Sequence, residues 1–567
     1  MHPPPDAKTP AHAENGSDAR YSGRFDRNGA RLIALFLLLL YVMLASFPGV
    51  PPVRPGNLDD GWVLGLNMAH AQRLVAGTDY IWTYGPLGFL RYADPAGDAL
   101  PLALFFRFAM FFIWAAALAR IVLADVSKIR AAWVLIVFAG AKLVIGDTPT
   151  DHLELAVLAL ALAALIDTRW RWLELAAAAV LSGLAAMVKL NAGAETFLLL
   201  LAVSVIVLRK RVVVLTAISA ASALFFYVLA TGHLLSIASY VRYSWEIASG
   251  YSISMGLPGP LLEVAVALVS ILVLLVGIPA LADDWRRIAV AMAPAAIWAF
   301  FAFKLAMVRQ DAHATAFQAD IALAALFPLM CAASARDRRM VGFFQAASLG
   351  LAVVVCLATW SWFPGAIESK LSLGWSKGCI SGYLSWSRTL REIDAGDRAV
   401  RDSQRLGPEY RAMIGSASVD AMPSDIARVR ANGWRWQPHG VLQSYSAYTP
   451  ALDGFDAAHF ASPHSADFLL VDWGSIDGRH PFLEEPRAWR TVLDWYDVRL
   501  PGSSPLLLGR RTQPRFADPR PIGSVQTRWD EAVKVPAHSG VLIAQVEIQK
   551  SLFGTVRNML YRMQPVF

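Results

Sequence analysis

Two short stretches concentrate side chains able to do chemistry. In "NLDDGW" two carboxylates, Asp59 and Asp60, stand side by side, about ten residues after an apolar run long enough to cross a bilayer. In "VRQDAH" a base, an acid and an imidazole, Arg309, Asp311 and His313, occupy five positions between two further apolar runs. Paired carboxylates can share a proton, hold a divalent cation or act as a general base. A guanidinium beside an imidazole suits an anionic group, and Arg309 and His313 share a face if their segment is helical. The first connection also carries Asp79 in "AGTDY", and two more connections add Asp147, Asp151 and His152 in "IGDTPTDHLEL" and Lys189 in "MVKLNAGAE".

Each has a plainer reading. One carboxylate of the first pair suffices to start the amphipathic helix expected over "DDGWVLGLNMAHAQRLV", Asp151-His152 could cap the next apolar helix, and Lys189 could snorkel to headgroups. Trp82, Tyr84 and Phe89 suit a membrane-interface belt, which leaves Asp79 unaccounted for. Ionisable groups at a membrane boundary are nevertheless functional candidates, because insertion does not require them there.

The elements that must position these residues are membrane helices. The 567-residue chain is 56% apolar and 17% charged, well below the usual charged share of about 25%. Its apolar residues form blocks of membrane-spanning length up to about Pro364. Basic clusters mark every second connection: Arg20/Arg24/Arg27/Arg31, Lys128/Arg130, Arg169/Arg171, Arg209/Lys210/Arg211, Arg286/Arg287 and Arg336/Arg338/Arg339. Placing them in the cytoplasm gives about eleven spans, with every candidate site residue on the external face. The excess of +7 is thus a topology signal, and neither a zinc spacing nor a phosphate loop points to nucleic acid. Cys331, Cys356 and Cys379 cannot form a disulfide framework.

The organisation expected is a disordered cytoplasmic tail over residues 1–30, an all-α polytopic membrane domain over 31–365 with a large external loop at 50–100, and a soluble external α/β domain over 366–567. In the last part "SASVDAM", "GVLQSYSAY", "ADFLLVDWG" and "SPLLLGR" read as strands. "PSDIARVRANG", "LDGFDAAHFA" and "PRAWRTVLDWYD" read as helices, and the segment after "PRPIGSV" looks β-like. Asp453, His459, Asp472 and His480 are scattered there without a catalytic motif.

The membrane part resembles the GT-C superfamily of integral-membrane glycosyltransferases, such as protein O-mannosyltransferases and lipid A aminoarabinose transferases. The resemblance rests on "LDDGW", "LVAGTDY", "YGPLGFL", "GLAAMVKLNAG" and "MVRQDAH", in that order, over roughly Arg31 to Pro364. "YGPLGFL" departs from the doubled-proline form of better-known members, which leaves the acceptor class open and points to a separate bacterial branch. The resemblance implies a polyprenyl-phosphate-linked sugar donor, an envelope lipid, glycan or protein as acceptor, and a bacterial inner membrane. It makes Asp59 the base with Asp60 beside it, and gives Lys189, Arg309 and His313 to the donor phosphate. Asp79, Asp147, Asp151, His152 and Asp311 remain further candidates, and a divalent cation is possible. A transporter or flippase, or a non-catalytic envelope-assembly protein, is the alternative.

Overall fold

The structure, a computed structural model, describes residues 18–56, 58–124, 127–145, 149–208, 211–281, 284–359, 363–549 and 551–562. Fourteen helices lead the chain: α1 (Asp18–Ala45), α2 (Leu58–Ala71), α3 (Leu100–Leu123), α4 (Lys128–Ile145), α5 (Pro149–Ile166), α6 (Arg171–Val188) and α7 (Leu190–Leu208). α8 (Val212–Thr231), α9 (Ile237–Ser254), α10 (Leu261–Gly277), α11 (Trp285–Val308), α12 (Ala312–Ala324), α13 (Leu326–Cys331) and α14 (Ala335–Thr359) follow. Among the described residues, eight helical segments are long and apolar enough to cross a membrane, and Gly29–Ala45 and His152–Ile166 are shorter apolar helices. The helix α1 starts at Asp18, so the stretch expected to be a disordered tail is helical from that residue onward.

Lipid is the medium that this bundle fits. α8 and α10 present Phe225, Leu229, Leu272 and Val276 outward, apolar area that would be costly in water. The Ala/Leu-rich α5 is buried on all sides instead, packed against α3, α6 and α7. Small residues permit the closest approaches. A Cβ on Gly193 would stand 2.3 Å from the Cα of Ala186, so α6 and α7 fold back on each other about the single extended residue Lys189.

At one end of the bundle a mixed α/β unit caps the first long loop. Helices α15 (Phe363–Leu371), α16 (Gly374–Leu384), α17 (Trp386–Ser403) and α18 (Pro408–Ile414) lead to β1 (Ser418–Met422), α19 (Ile426–Ala431) and β2 (Arg435–Trp436). Then come α20 (Pro450–Ala461), β3 (Phe468–Val471), α21 (Pro486–Trp495), β4 (Tyr496–Leu500), β5 (Leu506–Arg510) and, far downstream, α22 (Leu552–Leu560). The strand order is β2-β1-β3-β5-β4; β2, β1 and β3 run parallel, and β5 is antiparallel to both neighbours.

Two expected elements fail. "GVLQSYSAY" is not a strand: it forms only a bridge from Val441 to Ile81 and a 3-10 turn at Ser444–Ser446. Its hydrogen bonds go elsewhere. Val441 donates to Asp456 Oδ1 (2.7 Å), and the His439 backbone N–H and Nδ1 both meet Asp420 Oδ2 (2.8 and 2.7 Å). The β-like reading after "PRPIGSV" fails too, because residues 512–549 carry neither strand nor helix and Leu552–Leu560 is helical. Alternating apolar residues do not make a strand where no sheet edge receives them.

Candidate functional site

The capped end of the bundle is built around the first loop. Its "YGPL" turn supplies the donors that the last turn of α6 lacks: Gly85 N–H bonds to Val188 O and Leu87 N–H to Met187 O, both at 3.0 Å. Pro86, between them, has no N–H to strand. Only glycine fits the first position, where a Cβ would lie 2.4 Å from Met187 O and 2.5 Å from the Tyr240 hydroxyl. This docking lays Tyr84 over the corner at Lys189, whose Nζ is 5.3 Å from the ring centroid.

Trp62, on α2, stacks on the same ring (5.0 Å, 9°) and its Nε1 donates to Asp59 Oδ1 at 3.3 Å. Asp59 and Lys189 therefore meet one aromatic stack, edged by Tyr92 and by Arg91, whose guanidinium is 5.5 Å from the Tyr84 ring. Asp59 is exposed, whereas Asp60 is buried. Asp60 Oδ2 accepts the Gly56 N–H (3.0 Å) and Oδ1 pairs with Arg54 (3.6 Å). The neighbouring carboxylates thus have different surroundings. Among the described residues, no group of three or more His, Cys, Asp or Glu side chains is arranged to hold a metal ion.

A second cluster forms where α11 ends. Arg309 Nε meets Asp311 (2.5 Å), while its two terminal nitrogens grip Asp477 of the α/β unit at 2.8 and 2.9 Å. His313 Nδ1 lies 2.5 Å from Asp311. Burial alone would raise the Asp311 carboxyl, but the bond to His313 and the charges of His313 and Arg309 outweigh it and hold it down at about 2. The fork of Arg309 is thus occupied by carboxylates. Asp477 sits at φ 56° in "SIDGRH", a left-handed conformation that Asp tolerates, and Arg479 also reaches it (3.3 Å). Nearby, burial lifts Glu484 to about 7 despite a hydrogen bond from Ser475.

The two clusters share a tyrosine wall. Buried Tyr445 lies within electrostatic reach of both Asp59 and Arg309, and Tyr251 within that of Arg309 and Asp477. No family model, no curated protein and no solved structure matches this chain.

The remaining candidates stand apart. Asp79 Oδ2 accepts the Val75 N–H (2.7 Å), which fixes its own turn and explains a carboxylate there. His152 packs in the core against Phe111 and Trp114, with Lys142, Arg107 and Lys370 as charged neighbours. Asp147, and the side chain of Asp151, lie outside the described residues. By residue type Tyr84 reads as part of an interface belt, and nothing in the sequence marks Trp62, Arg91, Tyr445 or Asp477 as site residues. The Asp-Gly turn of "SIDGRH" is a local signal for a tight loop, but nothing in it names Arg309 as a partner.

The α/β unit holds the site together. Gln443 Nε2 donates to Leu58 O (2.9 Å) at the start of α2, and Ile81 N–H to Gly440 O (2.7 Å). Arg430 bridges Asp94 of the first loop and Asp397 of α17, both at 2.7 Å.

Proposed function

We propose that this chain is a membrane glycosyltransferase of the GT-C type, moving a sugar from a polyprenyl-phosphate donor to a hydroxyl of an envelope lipid, glycan or protein. The observation that carries the reading is the aromatic stack shared by Asp59 and Lys189, with Arg309 across the tyrosine wall. Aromatic faces suit the apolar face of a sugar ring, the exposed carboxylate suits a hydroxyl proton, and the cations suit a phosphate.

In the step envisaged, the acceptor oxygen forms a bond to the anomeric carbon as its proton passes to Asp59. The bond from that carbon to the phosphate oxygen breaks, and its electron pair leaves with the polyprenyl phosphate. Inversion follows from the single displacement. Lys189 and Arg91 stabilise the departing charge, joined by Arg309 once the donor displaces Asp477. The alternating basic loops support an external position for this site, and the resemblance to GT-C enzymes supports a bacterial inner membrane.

The decisive assay presents the purified protein in nanodiscs with radiolabelled polyprenyl-phosphate sugars and envelope acceptors. Label should move to an acceptor and stay behind when Asp59 is asparagine; transfer indifferent to Asp59→Asn refutes the assignment. Reporters fused after Arg338 and after Asp472 should lie on opposite sides of the membrane.

One observation favours a second reading, an ion-coupled transporter or flippase. Glu195, on the membrane-length α7, lies within electrostatic reach of Glu154, Asp320 and Lys189. Uptake or flipping of substrate by proteoliposomes, without sugar transfer, would favour it.

A further inference from the structure

The helix α22 is amphipathic the wrong way round for a helix in water. Leu552, Phe553, Val556, Met559 and Leu560 fall within an arc of about 120° at 3.6 residues per turn. All five are exposed, Leu552 at 83% and Phe553 at 76%. The half-buried positions are Gly554, Arg557 and Asn558, so the polar side faces the protein and the apolar side faces out. A helix packed on a water-soluble surface has the opposite arrangement.

Its height on the bundle is fixed. Lys304 Nζ, one turn before the end of α11, donates to the carbonyls of Asn558 (2.7 Å) and Tyr561 (3.4 Å). Arg562 donates to Leu257 O, just before α10 begins, and to Gln310 Oε1, just after α11 ends, both at 2.8 Å. The apolar face of α22 thus lies level with the ends of two membrane-length helices. There the first turn of α10 also exposes Leu261 (79%) and Leu262 (73%). α9, against which α22 packs, exposes Val241 and Trp245.

We propose that α22 is an interfacial anchor, its apolar face seated in the headgroup–acyl boundary of the bilayer. At the same level the exposed first turn of the membrane-length α10 belongs to the lipid-facing belt of the bundle, which argues for lipid as the occupant. The chain leaves the sheet at Arg510, crosses 512–549 without helix or strand, and is tied back to the membrane by this face. Arg562 hydrogen-bonds the neighbour of Arg309, so the anchor ends one residue from the Arg309–Asp477 clamp. None of this depends on the glycosyltransferase reading.

The test uses the full chain in nanodiscs, with Cys331→Ala, Cys356→Ala and Cys379→Ala as background. A single cysteine at Phe553→Cys or Met559→Cys carries an environment-sensitive fluorophore, and Asp402→Cys, a well-exposed carboxylate position, provides the aqueous reference. Doxyl-labelled lipids should quench both α22 positions at least threefold more than the reference, with blue-shifted emission. Quenching equal to the reference overturns the proposal. Shielding from aqueous iodide without lipid quenching also overturns it, since a protein surface then covers the face. The two positions report independently, so a local disturbance by either label leaves the other decisive.

Discussion

Asp59 and Asp60 differ in what their loss should cost. Asp60 is 3% exposed; its carboxylate satisfies the Gly56 N–H and pairs with Arg54 at the first turn of α2. Asp60→Ala strands that donor and leaves the guanidinium without this partner, a cost of about 1–3 kcal/mol. Local opening of α2 should therefore become about 5- to 150-fold more frequent. Hydrogen exchange of the α2 amides reads this directly. Asp60→Asn keeps an acceptor and should recover most of the protection. Asp59 is exposed and accepts the Trp62 indole N–H, a bond that asparagine can also accept. Asp59→Asn should leave α2 exchange within about twofold of the parent, in keeping with surface substitutions of ±0.5 kcal/mol. Sugar transfer should fall about a hundredfold or more, the usual cost of losing a general base. Retained transfer in Asp59→Asn, with transfer lost in Asp60→Ala at unchanged exchange, would reverse the two roles and sink the reasoning.

Further outcomes follow from the same geometry. Asp477→Asn should loosen the grip on Arg309, raise exchange over residues 474–480, and strengthen inhibition by polyprenyl phosphate about tenfold; unchanged inhibition would show that Asp477 does not compete for that guanidinium. Glu484, with its docked pKa raised to about 7 by burial, binds more protons when its segment is docked than when it is open. Docking is therefore strongest below about pH 4.5 and weakens as pH rises to about 7, so exchange over 475–485, corrected for intrinsic rates, should rise between about pH 5 and 7.5 and flatten in Glu484→Gln. Gly85→Ala, with its Cβ 2.4 Å from Met187 O, should force the "YGPL" turn off α6 and cost about 1–3 kcal/mol; thermal inactivation matching the parent would refute the close approach.

Composition and periodicity carry a long way where forces are local. Blocks of membrane length, the amphipathic start at Asp59 and Asp60, strands β1, β3 and β5, and helices α19, α20 and α21 all follow from residue type and spacing. Lys189 at the end of a small-residue helix is equally legible, because Gly193 and Ala186 need no partner beyond their own hairpin. By contrast, "GVLQSYSAY" has a strand's composition, yet Asp420 and Asp456 capture its flanking N–H groups. α22 shows an apolar stripe in sequence, but the stripe alone does not say whether it faces a core or lipid.

By itself, then, the sequence determined a helical membrane chain with a small α/β part, and which ionisable residues stand near its boundaries. Only the tertiary structure decided that Trp62 and Tyr84 bring Asp59 to Lys189, that Asp60 is committed to Gly56 and Arg54, and that Arg309 is held by a carboxylate 168 residues away. The reason is physical. Apolar periodicity is enforced by solvent along each segment separately, whereas an ion pair or ring stack depends on distances that no segment encodes alone.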